Sequence, residues 1–246
     1  MLMVDTDHGL FERSALVFSE SALCQIQNAR VCIAGVGGVG GFAAEAIARA
    51  GVGHITLVDH DRVSASNLNR QIVALNDTLG FPKAQVMADR IQSIHPQCQV
   101  VADIRFLEAD QMTTFLSVGQ FDFVIDAIDS LNCKVALVES AVRLGVPIVS
   151  SMGAGRRTDP RAVAVSDLFD TYACGLARQM RQRLRKRGIQ KGVPVVFSSE
   201  PPLPPGPMEN IAGARGRVVN GTASYMPGIF GLMLAGLVIE ALAQSQ

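Results

Sequence analysis

The sequence predicts an α/β fold: a mostly parallel sheet with helices on both faces and a smaller C-terminal extension. Three observations predict it. Short apolar runs alternate with helical stretches from residue 30 to residue 150. Those runs lack a clean polar–apolar alternation, as expected of strands buried on both faces. A glycine-rich segment joins the first run to an Ala-rich helical stretch, which is the order of a strand–turn–helix–strand unit. The chain has 246 residues, 48% of them apolar and 18% charged. That composition excludes a disordered chain and suits one domain over 1–246.

Taken in order, a helix is expected around Ser19–Asn28, then a strand over Arg30–Ala34. The glycine segment 35–41 leads into a helix over Phe42–Ala50, and His54–Val58 forms the next strand. Lys83 to His95 has helical spacing, with Val86, Ala88, Ile91 and Ile94 as its buried candidates. Strands follow over Val100–Ile104 and Phe121–Asp126, a helix over Asn132–Leu144, and a strand over Val146–Ser150. The Pro-rich stretch Ser198–Pro207 lacks many backbone donors and reads as a loop. The apolar tail Gly228–Gln246 reads as a helix of the core or a dimer interface. Its most apolar part, Gly228 to Ile239, stops at Glu240 and is too short to span a bilayer.

Charge and cysteine content narrow the chemistry. Lys plus Arg and Asp plus Glu are 22 each, so no global field draws nucleic acid or an anionic membrane. Positive charge is instead local: residues 156–191 carry ten Lys or Arg against three Asp. Such a run is either a solvated face or a grip on phosphates. Five cysteines without a CxxC pair disfavour a disulfide framework and a zinc site, and suggest reduced thiols in a cytoplasmic protein. The four histidines show no ligand spacing. His60 is expected to point away from Asp59 and Asp61 if the strand pattern continues past Val58.

Gly35-Val-Gly-Gly-Val-Gly40 matches G-x-G-x-x-G between a strand and a helix, the Rossmann-like arrangement that seats phosphate on a helix N-terminus. In that pattern Gly35, Gly37, Gly38 and Gly40 allow the tight turn, the close approach of phosphate and the packing of helix on strand. Asp59 ends the second strand where a carboxylate meets a ribose hydroxyl. Alone this would suggest an NAD enzyme. The residues that follow favour adenylation: Asp59-His-Asp61, Asn67-Leu-Asn-Arg-Gln71, Lys83 at a helix start and Asp126-Ala-Ile-Asp129. Fixed cations and a metal stabilise the charge that develops when the α-phosphate of ATP is attacked. Asp129 would hold Mg²⁺ with phosphate oxygens. There is no G-x-x-x-x-G-K-[ST] loop, so this is not a P-loop enzyme.

Together these motifs resemble the ubiquitin-activating-type adenylation superfamily. Phe11-Glu-Arg-Ser-Ala15, Ile125–Ser130, Met152-Gly-Ala-Gly155 and Val195–Glu200 are similar to its family of tRNA threonylcarbamoyladenosine dehydratases. The resemblance departs at Cys174-Gly175, where that family has Asp-Pro before a basic helix.

The resemblance implies a nucleotide-binding core over about 19–150 and a substrate or dimer extension over about 151–246. It implies ATP and Mg²⁺ as cofactors and leaves a monovalent cation open. Asp59 would bind the ribose, with Asp61 beside the nucleotide. Asn67, Arg70 and Lys83 would contact phosphates, and Arg70, Lys83 and Asp129 would act in catalysis. Arg13 would reach the nucleotide of the partner in a homodimer. Arg178, Arg181, Arg185 and Arg187 would touch tRNA, and a cysteine desulfurase or sulfur acceptor could be a further partner. The implied reaction activates the carboxylate of threonylcarbamoyladenosine as an acyl adenylate and closes a ring. Two alternatives remain at this point: adenylation of the C-terminus of a ubiquitin-like sulfur carrier, where Cys174 could take the acyl group, and a non-catalytic nucleotide-binding partner of a sulfur-transfer system. An NAD dehydrogenase ranks behind them.

Overall fold

The computed structural model describes residues 9–209, 217–218 and 220–244. The expected start of the chain, its last two residues and part of the 198–217 loop lie outside the described residues. Seven strands form one sheet: β1 Arg30–Ala34, β2 His54–Val58, β3 Gln99–Asp103, β4 Phe123–Asp126, β5 Ile148–Ser151, β6 Val163–Asp167 and β7 Pro194–Ser198. Their order is β3-β2-β1-β4-β5-β7-β6, and only β6, on the edge, runs antiparallel to its neighbour. The helices are α1 Glu20–Asn28, α2 Gly40–Arg49, α3 Lys83–Ile94, α4 Met112–Gly119, α5 Leu131–Leu144, α6 Gly175–Arg185 and α7 Met226–Gln244. Two short strands, β8 Met208–Glu209 and β9 Arg217–Val218, pair beside this body.

β4 and β5 are buried along their length and β1 at all but Arg30, which explains why they carry no two-residue period. One apolar cluster fills the face covered by α2, α3 and α7; a second fills the face covered by α4, α5 and α6. α1 starts where Ser19 caps it, its hydroxyl accepting from the Ala22 N–H at 3.2 Å. α2 starts at Gly40, two residues before the sequence reading placed it. A side chain at Gly40 would put its Cβ 1.7 Å from the Gly35 carbonyl oxygen, so only glycine lets this turn become helical at once. On α3 the buried stripe is Ala84, Met87, Ala88 and Ile91. Val86 and Ile94 are half-buried, because the stripe follows the i, i+3, i+4, i+7 spacing from Ala84.

α7 corrects the expectation of a segment too short to span a bilayer. It runs over 19 residues, with a mean hydropathy of 1.9 in its most apolar window, and is long and apolar enough to cross one by length and composition. The single charge at Glu240 does not end it. Half of that window is buried in the fold, and Phe230, Leu234 and Val238 are fully enclosed among α1, α2 and the sheet.

At the carboxyl end of β4 lies a pair of charges that the apolar surroundings would otherwise reject. Asp126 and Lys134 are fully buried, with Lys134 Nζ 3.0 Å from Asp126 Oδ2. The Ser150 hydroxyl donates to the same carboxylate oxygen at 2.6 Å, and the Ile128 N–H donates to the other at 3.2 Å. Lys134 also donates to the Ile128 carbonyl at 3.1 Å. The pair therefore fixes the loop 127–130 between β4 and α5. Removing one partner leaves an uncompensated buried charge, which costs about 3–5 kcal/mol. We predict that Lys134→Met lowers the unfolding free energy from urea titration by that order, and that Asp126→Asn in the same chain recovers most of the loss. Additive losses would show the two groups to be uncoupled.

Glu45 on α2 ties two helices. It accepts from Arg49 and from Arg90 of α3. Burial pushes its carboxyl up, but the hydrogen bonds from Arg90 and Arg49 outweigh burial and hold it below its ordinary 4.5. A lowered folded pKa gives stability that is present above 4.5 and lost as pH falls through the lowered value. Glu45→Gln should flatten the acid limb of a stability-against-pH curve while leaving the curve above pH 6 parallel to the parent's.

Candidate functional site

The glycine turn follows β1 directly. Gly35 has a φ of +90°, and a Cβ there would sit 2.6 Å from the Ala127 carbonyl oxygen. The turn thus passes against the loop after β4, at the point where the strand order reverses. Gly37 differs: beyond it lies only the Gln71 amide at 3.8 Å, which leaves the backbone open to a ligand. Asp59, one residue past β2, holds the turn. Its Oδ2 accepts from the Val36 N–H at 2.7 Å and its Oδ1 from the Asp61 N–H at 2.8 Å. The carboxylate is therefore part of the turn before any ribose arrives.

Asp61 in turn meets Lys83. The ammonium, only 6% exposed in its side chain, lies 2.7 Å from Asp61 Oδ2. Lys83 opens α3, and its N–H donates to the Asp61 carbonyl, so backbone and side chain are fixed together. Asn67 is buried and accepts from the Ser64 N–H at 3.0 Å, capping the turn Ala65–Asn67. Arg70 leaves that turn and donates to the Ser66 carbonyl and the Asn69 amide oxygen at 2.8 and 2.9 Å. Asp129 stands exposed on the loop that the Asp126–Lys134 pair secures.

All of these surround one cavity of about 890 Å³. Gly35, Gly37, Gly38, Asp59, Asp61, Asn67, Arg70, Lys83 and Asp129 are on its wall. Among its lining side chains, six Arg or Lys face three Asp, so the hollow favours an anion within a neutral chain. Two of the candidates expected at the nucleotide are not on the wall. Gly40 is consumed by packing against Gly35. Arg13 is exposed beside the turn Ser14–Leu16, away from the cavity of its own protomer.

Three of the four arginines picked as tRNA contacts have partners within the chain. Arg181 donates to the Thr171 hydroxyl, Arg185 stacks 5.5 Å over the Phe169 ring, and Arg187 pairs with Glu139 at 2.7 Å. Arg178 is exposed. α6 begins on the cavity wall at Cys174, Gly175 and Leu176 and runs outward from it.

His60 differs from its sequence expectation. β2 ends at Val58, so the two-residue pleat stops there, and the His60 ring turns to within 3.4 Å of Asp61 Oδ1. Ligand atoms of Asp59, His60 and Asp61 lie within 4.8 Å of one another. The carboxylates of that group are already engaged by Val36, Asp61 and Lys83. Cys174 is buried on the cavity wall, and Cys32 is packed in β1, where burial pushes its thiol far up. Sequence reasoning missed Lys134, hidden inside an apolar helix pattern, and Arg156 and Arg157, counted with the basic run though both line the cavity.

Residues 11–246 match the model of the ThiF family. The tRNA threonylcarbamoyladenosine dehydratase of Bacillus subtilis is 43% identical over 193 residues, covering 78% of this chain and 76% of that protein. Its Escherichia coli namesake is 44% identical over 197 residues, covering 77% and 73%. The crystal structure of the E. coli tRNA N6-threonylcarbamoyladenosine dehydratase in complex with ATP superposes with a TM-score of 0.88. There the identity is 37%, with 98% of this chain and 97% of that one covered. The seven-stranded sheet, the glycine turn and the cavity are thus those of a chain that belongs to the ThiF family.

Proposed function

We propose that this chain uses ATP to activate the carboxylate of N6-threonylcarbamoyladenosine in tRNA and closes it to the cyclic form. The observation that carries the reading is the convergence of the glycine turn, Arg70, Lys83 and Asp129 on one cation-rich cavity. The dehydratases at 43 and 44% identity support the substrate over a sulfur-carrier protein. ATP is the nucleotide the related crystal structure names.

In this reading the α2 N-terminus and the open backbone at Gly37 receive the phosphates. Asp59 holds the turn and meets the ribose. A carboxylate oxygen of the modified base attacks the α-phosphorus. A new P–O bond forms, the bond to the bridging oxygen breaks, and pyrophosphate leaves with the electron pair. Arg70 and Lys83 stabilise the charge that develops on the phosphate oxygens, and Asp61 keeps Lys83 aimed. Asp129 is an exposed hard oxygen donor on the wall, which fits Mg²⁺ held together with phosphates. When bound, the ion would neutralise phosphate charge. An internal nucleophile of the threonylcarbamoyl group then attacks the acyl carbon, and AMP departs. The net loss from the base is one water.

A second hollow of about 690 Å³, formed by Phe18, Phe42, Ile72, Leu232 and Ile239, supports a homodimer. Leu16, Val17 and Leu232 stand exposed around it. A homodimer across this face would carry Arg13 from one protomer toward the nucleotide of the other. The chain is expected to work in the cytoplasm, where tRNA is modified.

Incubation with ATP, Mg²⁺ and tRNA that holds threonylcarbamoyladenosine should remove 18 mass units, one water, from that nucleoside, read after digestion. Lys83→Ala and Asp129→Asn should each lower kcat by about 10²–10³-fold, the usual cost of losing a fixed charge at a developing anion. No mass change, with adenylation of a carrier protein instead, would reject the tRNA reading. The basic face of α6 is tested separately. Arg178→Glu with Arg185→Glu should weaken tRNA binding and lower the slope of log affinity against log salt by about 1–2, given ~0.7–0.9 per phosphate contact. An unchanged slope would remove α6 from the tRNA interface.

A further inference from the structure

Arg157 is 2% exposed, yet it belongs to the wall of the cavity. Its Nη2 donates to the Ala173 carbonyl at 2.9 Å. Its Nε and Nη1 are buried and have no hydrogen-bond acceptor among the described residues. A guanidinium cannot shed its proton at any working pH, so these donors stay charged and unsatisfied until an acceptor comes to them. Glu200 lies near enough to feel the Arg157 charge, but its carboxylate oxygens are engaged by the Thr158 and Asp159 N–H groups at 2.9 Å and the Thr158 hydroxyl at 3.1 Å.

The backbone around Arg157 is held in an unusual form. Arg156 has a φ of +59° and Ala173 a φ of +52°, two of the three described residues other than glycine in the left-handed region. Such conformations cost free energy and persist where the surroundings enforce them. Here one precedes Arg157 and the other is the residue whose carbonyl anchors it.

Position completes the argument. The sheet order places β1, β4 and β5 side by side. The glycine turn follows β1, Asp129 follows β4, and Arg157 lies on the segment after β5. Phosphates would occupy the first two stations, so an attacking group enters from the third. That group is itself an anion approaching a polyphosphate, and a fixed cation on its own side offsets the repulsion.

We propose that Arg157 binds the carboxylate of the acyl substrate and orients it toward the α-phosphorus. One carboxylate oxygen is held by the guanidinium and the other is left to attack. This rests on the carboxylate-activating reading above and adds to it the group that selects a carboxylate.

The test uses a stem–loop RNA carrying threonylcarbamoyladenosine and the same RNA carrying its carboxamide. Both are titrated onto the protein loaded with an ATP analogue that has a methylene between the α and β phosphorus. The wild-type chain should prefer the carboxylate by about tenfold or more, the size of one charge-assisted hydrogen bond. Arg157→Met should bring the two affinities to within about twofold and Arg157→Lys should fall between, while the analogue binds both variants as it binds the parent. Retention of the full preference by Arg157→Met overturns the assignment and leaves the proposed activity standing. If Arg157→Met fails to bind the analogue because it does not fold, Arg157→Lys decides: a full preference there overturns the assignment. A wild-type chain that ignores the RNA carboxylate but binds a peptide ending in Gly-Gly overturns the tRNA reading, and this role for Arg157 with it.

Discussion

The buried contact between Lys134 and Asp126 is the constraint on which the site depends. It lies where the strand order turns back on itself, between the strand that carries the glycine turn and the strand that leads to the basic segment. An ion pair in so apolar a place is a poor source of net stability, because desolvation offsets the attraction. Its value here is positional. Four groups meet on one carboxylate and one ammonium: the Ser150 hydroxyl, the Ile128 N–H, the Ile128 carbonyl and the Asp126 carbonyl. Together they prevent the loop 127–130 from sliding along the end of the sheet. The glycine turn touches that loop at Ala127, so the backbone that receives phosphate and the carboxylate at 129 are set by the same contact.

A second consequence follows from the neutral composition. The chain carries no net charge, so its attraction for a nucleotide comes from local cations, six of which line the cavity. Each wall cation is oriented by a different device. Lys83 is aimed by the Asp61 carboxylate, which keeps its charge and its position without a ligand. Arg70 is steadied by the Ser66 carbonyl and the Asn69 amide oxygen. In the acyl-transfer reading both cations are held on the wall by the chain's own groups, Lys83 by a carboxylate and Arg70 by the turn it leaves.

Much of this was legible in the sequence, for reasons that can be named. β1 and β2 fall at the predicted residues because each is a short apolar run bounded by a break. The cavity residues from Gly35 to Asp129 were found because a turn, a strand end and a helix start each fix a side chain at a predictable place. Reading failed where side-chain type and surroundings disagree. Lys134 sits in a helix whose neighbours Cys133 and Val135 are buried, and a lysine there looks like a surface residue until Asp126 is seen beneath it. β6 and β7 went unassigned because Arg161 and the proline-rich stretch masked two ordinary strands. His60 was misplaced because a strand period was carried beyond the strand. Of the basic run, charge counting could not tell exposed Arg178 from Arg181, which is tied to Thr171.

Comparing the three most enclosed cations sharpens what each is for. Lys134 has a carboxylate partner within 3.0 Å and is bounded by main chain, so it is complete without a ligand. Lys83 has a carboxylate partner on the cavity wall, which an incoming phosphate can share. Arg157 has one carbonyl, and two of its nitrogens have no acceptor among the described residues. Burial alone cannot account for that last arrangement, since an arginine that only packed would be replaced by an apolar chain at lower cost. Nor does tethering Ala173 require it, because a single N–H serves that bond. What remains is a demand for acceptors on the segment that follows β5, on the cavity wall. A carboxylate meets that demand and supplies the nucleophile in the same group, so the buried donors of Arg157 and the chemistry of the proposed reaction have one answer.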